Sequence, residues 1–180
     1  MEQIPSTPNS GDSKEKAIDD LCRECGLCCN GVLFHLVRLQ SSDLLSELAG
    51  LGLKIKRKKG QDQFSQPCPA YQGCQCSIYH QRPTRCRLFE CKQLKGVIAG
   101  EISEEKAHLQ ISDVQARVKR VETFLSRLGK TDLSRPLTKR YEKVTAEPAD
   151  LLDPHQREER VLLEKEMQEL QDILDRDFRV

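Results

Sequence analysis

Nine cysteines fall between Cys22 and Cys91, about 13% of a 70-residue window, and none follows in the rest of the 180-residue chain. A density this high belongs to chains closed by disulfides or to chains closed around a metal. The count is odd, so intramolecular disulfides alone cannot use it up. Cys28 and Cys29 are adjacent, a spacing that forms a disulfide only in a strained geometry. The opening residues, MEQIPSTPNSGDSKEKAIDD, are polar and charged with no apolar export segment. That predicts a cytoplasmic, reducing setting, where thiols hold metal more often than they pair. A thiolate metal centre is therefore expected.

The apolar content supports this. Hydrophobic residues are 37% and aromatic residues 4%, with no tryptophan, thin material for a large core. Folding of the cysteine-rich part is expected to depend on its metal, which replaces the apolar packing the segment lacks. Twenty-nine basic residues against 28 acidic ones leave a net charge of +1, which disfavours a basic nucleic-acid binder and an acidic tail protein. Apolar runs are far shorter than a membrane span.

The pattern predicts three regions: a disordered leader over 1–16, a cysteine-rich metal-binding domain over 17–96 and a helical extension over 101–180. Within the second, Val32 to Leu39 (VLFHLVRL) reads as a short strand or extended arm. SSDLLSELAG reads as a brief helix capped by Ser42 or Asp43 and stopped by Gly50. The basic run Lys54, Lys56, Arg57, Lys58 and Lys59 before Gly60 reads as a hairpin or exposed loop. Its bland reading as a solvated turn outweighs a phosphate or acidic-partner patch, and no interleaved aromatic residues offer bases a stacking platform. Helix is expected from about Thr84 towards Lys95, placing Cys86 near a helix start, where amide donors favour thiolates.

In the extension, Ile111, Val114, Val118, Val121, Leu125 and Leu128 alternate spacings of three and four before Gly129, predicting a helix over about 103–128. A linker bearing Pro136 and Pro148 follows. Asp153, Pro154 and Gln156 then spell a capping box for a helix over about 154–177, whose apolar face is Leu163, Met167, Leu170 and Leu174. The two stripes predict an antiparallel hairpin or a contact with a protein partner or second copy, and carry no ligand-type residues. The fold class is thus a small metal-stabilised, mainly α cysteine-rich domain with little β, followed by a C-terminal helical hairpin.

Four thiolates satisfy the tetrahedral preference of zinc and equally complete the outer shell of an iron–sulfur cluster. The candidates are Cys22, Cys25, Cys28, Cys29, Cys68, Cys74, Cys76, Cys86 and Cys91. Cys22, Cys25 and Cys28 at successive x2 spacings resemble a ferredoxin run, which favours iron–sulfur ([4Fe–4S] first, or iron) over zinc. Nine thiols exceed one four-ligand site, so either two metal positions exist or several thiols do not ligate. His35 and His80 are possible nitrogen ligands but read more simply as neighbours or surface. Arg82, Arg85 and Arg87, with Tyr79, surround Cys86. Arginines there would offset the negative charge of a four-thiolate centre, unless they pair with Glu90, Glu24 or the acidic tail.

CRECGLCC (22–29), PCP (67–69) and CQCSIYHQRPTRCR (74–87) resemble the CxxCxxCC domain described as zinc- or iron-chelating, whose bacterial members are the YkgJ-like cysteine cluster proteins. The family pattern opens CxxCGxCC, on Cys22, Cys25, Gly26, Cys28 and Cys29. Its middle cysteine falls on Cys68. It closes C-x-IY-x-x-RP-x-x-CR, on Cys76, Ile78, Tyr79, Arg82, Pro83, Cys86 and Arg87. The stretch leading into Asp43 is similar as well. Cys74 is additional to this pattern, and Cys91 lies at a more variable closing position.

The resemblance covers residues 20–92 and implies metal chelation rather than a particular reaction. A remote link to flagellin lysine N-methylases implies a modifying activity in some members, but the chain has no glycine-rich nucleotide loop and no C-x3-C-x2-C spacing. The leading expectation is a metalloprotein with a redox, metal-handling or modification-accessory role. The alternatives are a structural zinc module for protein interaction and an iron-dependent peptide- or protein-modifying enzyme.

Overall fold

A computed structural model describes residues 19–72, 75–148 and 153–180. The expected leader and Cys74 lie outside the described residues. Helix α1 (19–25) leads into a cysteine-bearing turn, strand β1 (Leu36–Arg38) and helix α2 (Leu45–Gly50). Strands β2 (Lys56–Lys58) and β3 (Gln61–Ser65) follow, then the two-residue strands β4 (Tyr71–Gln72) and β5 (Gln75–Cys76), and a single 3-10 turn (Tyr79–Gln81). Helices α3 (Thr84–Leu88), α4 (Lys92–Ala99), α5 (Glu104–Arg127), α6 (Leu137–Thr145) and α7 (Pro154–Asp177) complete the chain. Helix makes up 55% and strand 10% of the described residues, so the mainly α reading with little β holds.

The basic run folds as the expected hairpin. Lys59 and Gly60 both take positive φ, 50° and 77°, the backbone of a two-residue turn whose twist matches the flanking strands. β3 pairs antiparallel with β2 and with β1, giving the order β1-β3-β2. The β2 side chains are exposed, and Arg57 lies 3.8 Å from Asp62 across the hairpin.

The long helices follow their sequence signals closely. Ser103 caps α5 by accepting the Lys106 N–H, and Ile111, Val114, Val118, Val121 and Leu125 are buried. Asp153 and Gln156 form the capping box of α7, with Leu163, Met167, Leu170 and Leu174 buried. The two helices run antiparallel: Arg117 meets Glu169 at 2.7 Å, Arg120 meets Glu166 at 3.2 Å and Arg127 meets Glu159 at 3.0 Å. The apolar seam is therefore closed within the chain. It also takes in Leu21, Leu27, Val32, Leu33 and Leu94, so the cysteine-bearing segment and the helical tail share one core. A second, smaller core joins Leu39, Leu48, Leu53, Phe64, Ala70 and Ile78.

Three local readings need correction. The stretch after Pro136 contains helix α6 and is not a plain linker. Leu137 and Val144 enter the core, and buried Arg140 donates to the Lys130 carbonyl from Nε at 3.1 Å and Nη2 at 3.0 Å. Two apolar residues seven apart give too little periodicity to announce such a helix. The helix expected over Thr84–Lys95 is two helices, broken at 89–91. Finally, α2 has Leu44 at its N-cap with no side-chain bond. Asp43 instead accepts the Gln40 N–H at 2.7 Å, the Thr84 N–H at 2.8 Å and the Thr84 hydroxyl at 2.7 Å. It caps α3, 41 residues away, a partnership that local spacing cannot reveal.

Candidate metal centre

Each described cysteine is held by a short element or turn. Cys22 and Cys25 lie three apart on α1 and so share one face. Gly26, at φ +64°, turns the chain, and its carbonyl accepts the N–H groups of Cys29 and Asn30, both at 2.9 Å. This turn presents Cys28 and Cys29. Gln66-Pro67 is a cis bond, and the Cys68 N–H beyond it donates to the Cys29 carbonyl at 2.8 Å. Cys76 sits on β5 opposite Tyr71, Cys86 on α3, and Cys91 at the N-cap of α4. All eight described cysteines are free thiols, partly buried.

These eight fall into two neighbourhoods. Cys28 lies within electrostatic reach of Cys25, Cys22, its neighbour Cys29 and Cys91, and Cys25 and Cys22 each feel Cys91. Cys29 is under the influence of Cys68, Cys76 and Cys86, and Cys86 under that of Cys68 and Cys76. Packing draws the same line. Cys25, Cys28 and Cys91 border the large core, whereas Cys68, Cys76 and Cys86 border the small one. The adjacent pair Cys28-Cys29 thus divides, one thiol to each set, and Cys22 and Cys28 link to Cys29 across the divide.

Burial is the main force on every one of these thiols whose ionisation is displaced, and neighbouring sulfurs add to it. Burial, with the charges of Cys91 and Cys22, pushes Cys25 up to about 12. Burial and the sulfurs of Cys68 and Cys76 push Cys86 up to about 12, against the lowering charge of Arg82. Cys28 and Cys29 are raised for the same reasons. Desolvated thiols that would repel one another as thiolates are a donor set short of positive charge, which a thiophilic cation supplies. In number, type and burial the thiols fit such an ion. Among the described residues, no group of three or more histidine, cysteine, aspartate or glutamate side chains is arranged to hold a metal ion as it stands.

The flanking residues separate. Arg82 donates from Nε to the Tyr79 carbonyl at 2.8 Å, lies 3.5 Å over the Tyr79 ring, and lowers Cys22 and Cys86 against burial. The Tyr79 hydroxyl donates to Asp19. Burial and that bond hold its ionisation well above the ordinary phenol range. Arg87 reaches the Thr84 hydroxyl at 3.4 Å and bears on Asp43, while Arg85 is exposed. Glu24, one of the carboxylates set against these arginines, lies 3.3 Å from His108 instead. His35 is exposed, and His80 is exposed beside the Tyr79 ring at 5.6 Å.

Sequence reasoning missed the supports. Gln115 on α5 donates to the carbonyls of Glu24 and Cys25 at 2.9 and 3.0 Å, tying the end of α1 to the helical tail across 90 residues. Asp19 and Tyr71 also support this region, and nothing in local spacing marks any of the three.

Residues 21–116, from α1 to the middle of α5, match the CxxCxxCC family, described as "Putative zinc- or iron-chelating domain". The match covers more than half of the chain and includes all nine cysteines. No curated protein and no solved structure matches. With its opening motif, its middle cysteine and its closing motif drawn together around shared thiol neighbourhoods, the chain belongs to the CxxCxxCC family.

Proposed function

We propose that the protein is a cytoplasmic metalloprotein holding two thiolate-ligated centres, [4Fe–4S] clusters in the first place, with a redox or metal-handling role. The division of eight thiols into two sets of four carries this reading: Cys22, Cys25, Cys28 and Cys91 in one, Cys29, Cys68, Cys76 and Cys86 in the other. Four thiolates complete one such centre, and the x2 spacings of the first set favour iron–sulfur over zinc. When bound, the centre would supply electron transfer. Arg82 would offset its negative charge, with Tyr79 holding that guanidinium in place.

Residues 17–96 would carry the metal, and the helices of 101–180 would offer the partner surface. The exposed Leu109, Val161 and Leu162 support the latter. No described helix is long and apolar enough to cross a membrane.

Anaerobic purification with elemental analysis and Mössbauer spectroscopy tests the reading. Two clusters per chain are expected in a brown protein, whereas a colourless protein with tightly held zinc would replace it with the structural zinc module. Cys91→Ser should remove one centre and Cys76→Ser the other. Serine is itself a good N-cap, so the first change leaves the start of α4 supported. If either variant loses both centres or neither, the division is wrong.

A further inference from the structure

Beside the thiols lies a cavity of about 650 Å³. Cys22, Cys28, Cys29, Cys76 and Cys86 reach its wall, so the metal centres would take up part of this space, and the remainder is bounded by other side chains. Much of the wall is apolar: Leu33, Leu36, Val37, and the rings of Phe34 and Phe89, which meet edge to face with centroids 4.8 Å apart. Four arginines line it as well: Arg23 and Arg82, half-buried, and Arg38 and Arg85, exposed.

Among the described residues none of the four meets a carboxylate. The arginines of the α5–α7 interface, by contrast, are each paired with glutamate. Arg82 is accounted for by Tyr79 and the thiols, and Arg23 lies 5.2 Å from the Tyr79 ring. Arg38 and Arg85 have no such role.

We propose that this cavity binds an amphipathic organic anion, an apolar body ending in a carboxylate or phosphate, with its head held by Arg38 and Arg85. The guanidinium fork matches either oxyanion in two-point hydrogen bonding. The apolar wall would be wasted on an inorganic ion. A neutral apolar ligand would make no use of the guanidinium forks of Arg38 and Arg85. Bound this way, the body of the ligand lies against the wall that carries the thiols. The site thus goes beyond the metal reading and does not depend on which metal is held.

Calorimetric titration of the full chain, as purified with its metal, tests the site using octanoate, octyl phosphate, octanol and acetate. Octanoate or octyl phosphate should bind at least tenfold more tightly than octanol, and acetate should bind more weakly than either anion; the tighter of the two anions identifies the head group. Arg38→Ala and Arg85→Ala should each weaken the anion about tenfold or more. Lys58→Ala, an exposed charge on β2 away from the cavity, should not. Metal content is measured on every sample. Anion binding to a chain without metal would overturn the metal reading and leave this one standing. The inference is overturned if octanol matches the anions, if nothing binds, or if the arginine variants lose metal along with ligand.

Discussion

Replacing Gly26 by alanine should be among the most damaging single-carbon changes in the chain, for two separable reasons. Gly26 takes φ +64°, where an L side chain costs about 1–2 kcal/mol. A Cβ there would also lie 2.6 Å from Cζ and 2.8 Å from Cε2 of Tyr71, closer than carbon atoms approach. Relieving that overlap means moving a ring packed on the turn between Cys25 and Cys28, and overpacking of this kind costs about 1–3 kcal/mol. The total is about 2–5 kcal/mol. Gly100 separates the two contributions: its φ is +74°, but nothing lies within 4 Å of a Cβ built there. Gly100→Ala should therefore cost only the backbone part. With a urea slope of about 1–3 kcal/mol per molar, the two variants should differ by about 1 M in midpoint. Adding Tyr71→Ala to Gly26→Ala removes the obstructing ring, and the pair should couple favourably in a double-mutant cycle. Equal midpoints for Gly26→Ala and Gly100→Ala, or strict additivity in the cycle, would refute the claim that Tyr71 packs on the turn.

Leu170 is fully buried between α5 and α7, so Leu170→Ala should cost about 2–5 kcal/mol. Because the cysteine segment shares that core, thermal melting should lose helix and metal in one transition; two separate transitions would count against the shared core. Asp153→Ala removes the α7 capping box and should lower stability by about 1 kcal/mol, read from the shift in denaturant midpoint. Burial pushes the Asp43 carboxyl up, but the Thr84 and Gln40 amides, the Thr84 hydroxyl and the Arg87 charge outweigh it and hold it below the usual range. Its stabilisation is thus complete above the ordinary aspartate pKa of about 3.9 and is lost as pH falls through the lower folded value. Asp43→Asn should be less stable than the wild type at neutral pH, and denaturation curves at falling pH should show that gap closing below about pH 4. A gap that does not change with pH would contradict this account.

Wherever a feature depends on neighbours in sequence, it could be read in advance. The capping box at Asp153 and Gln156, the seam from Ile111 to Leu125 and the lysine-glycine hairpin turn are patterns of period or short spacing, fixed by backbone geometry. The cysteine density and the motif Cys22-x2-Cys25-Gly26-x-Cys28-Cys29 likewise pointed to thiolate chemistry and to the family before any contact was known. Helix α6 is not legible in the sequence because only Leu137 and Val144 mark it, and local spacing offers Ser42 or Asp43 to the nearer helix because the real partner of Asp43, Thr84, is 41 residues away.

The sequence alone determined the thiols, the long helices and their apolar faces, since each follows from residue type and local period. Only the tertiary structure decided how the thiols divide. Cys28 and Cys29 are neighbours in the chain, yet one borders the large core and the other the Cys68–Cys76–Cys86 neighbourhood. It also decided that Arg82, stacked on Tyr79 beside Cys22 and Cys86, shares a cavity wall with Arg38 and Arg85. Spacing along a chain limits which side chains can meet, but the choice among the long-range meetings it allows is made by packing the whole chain against itself.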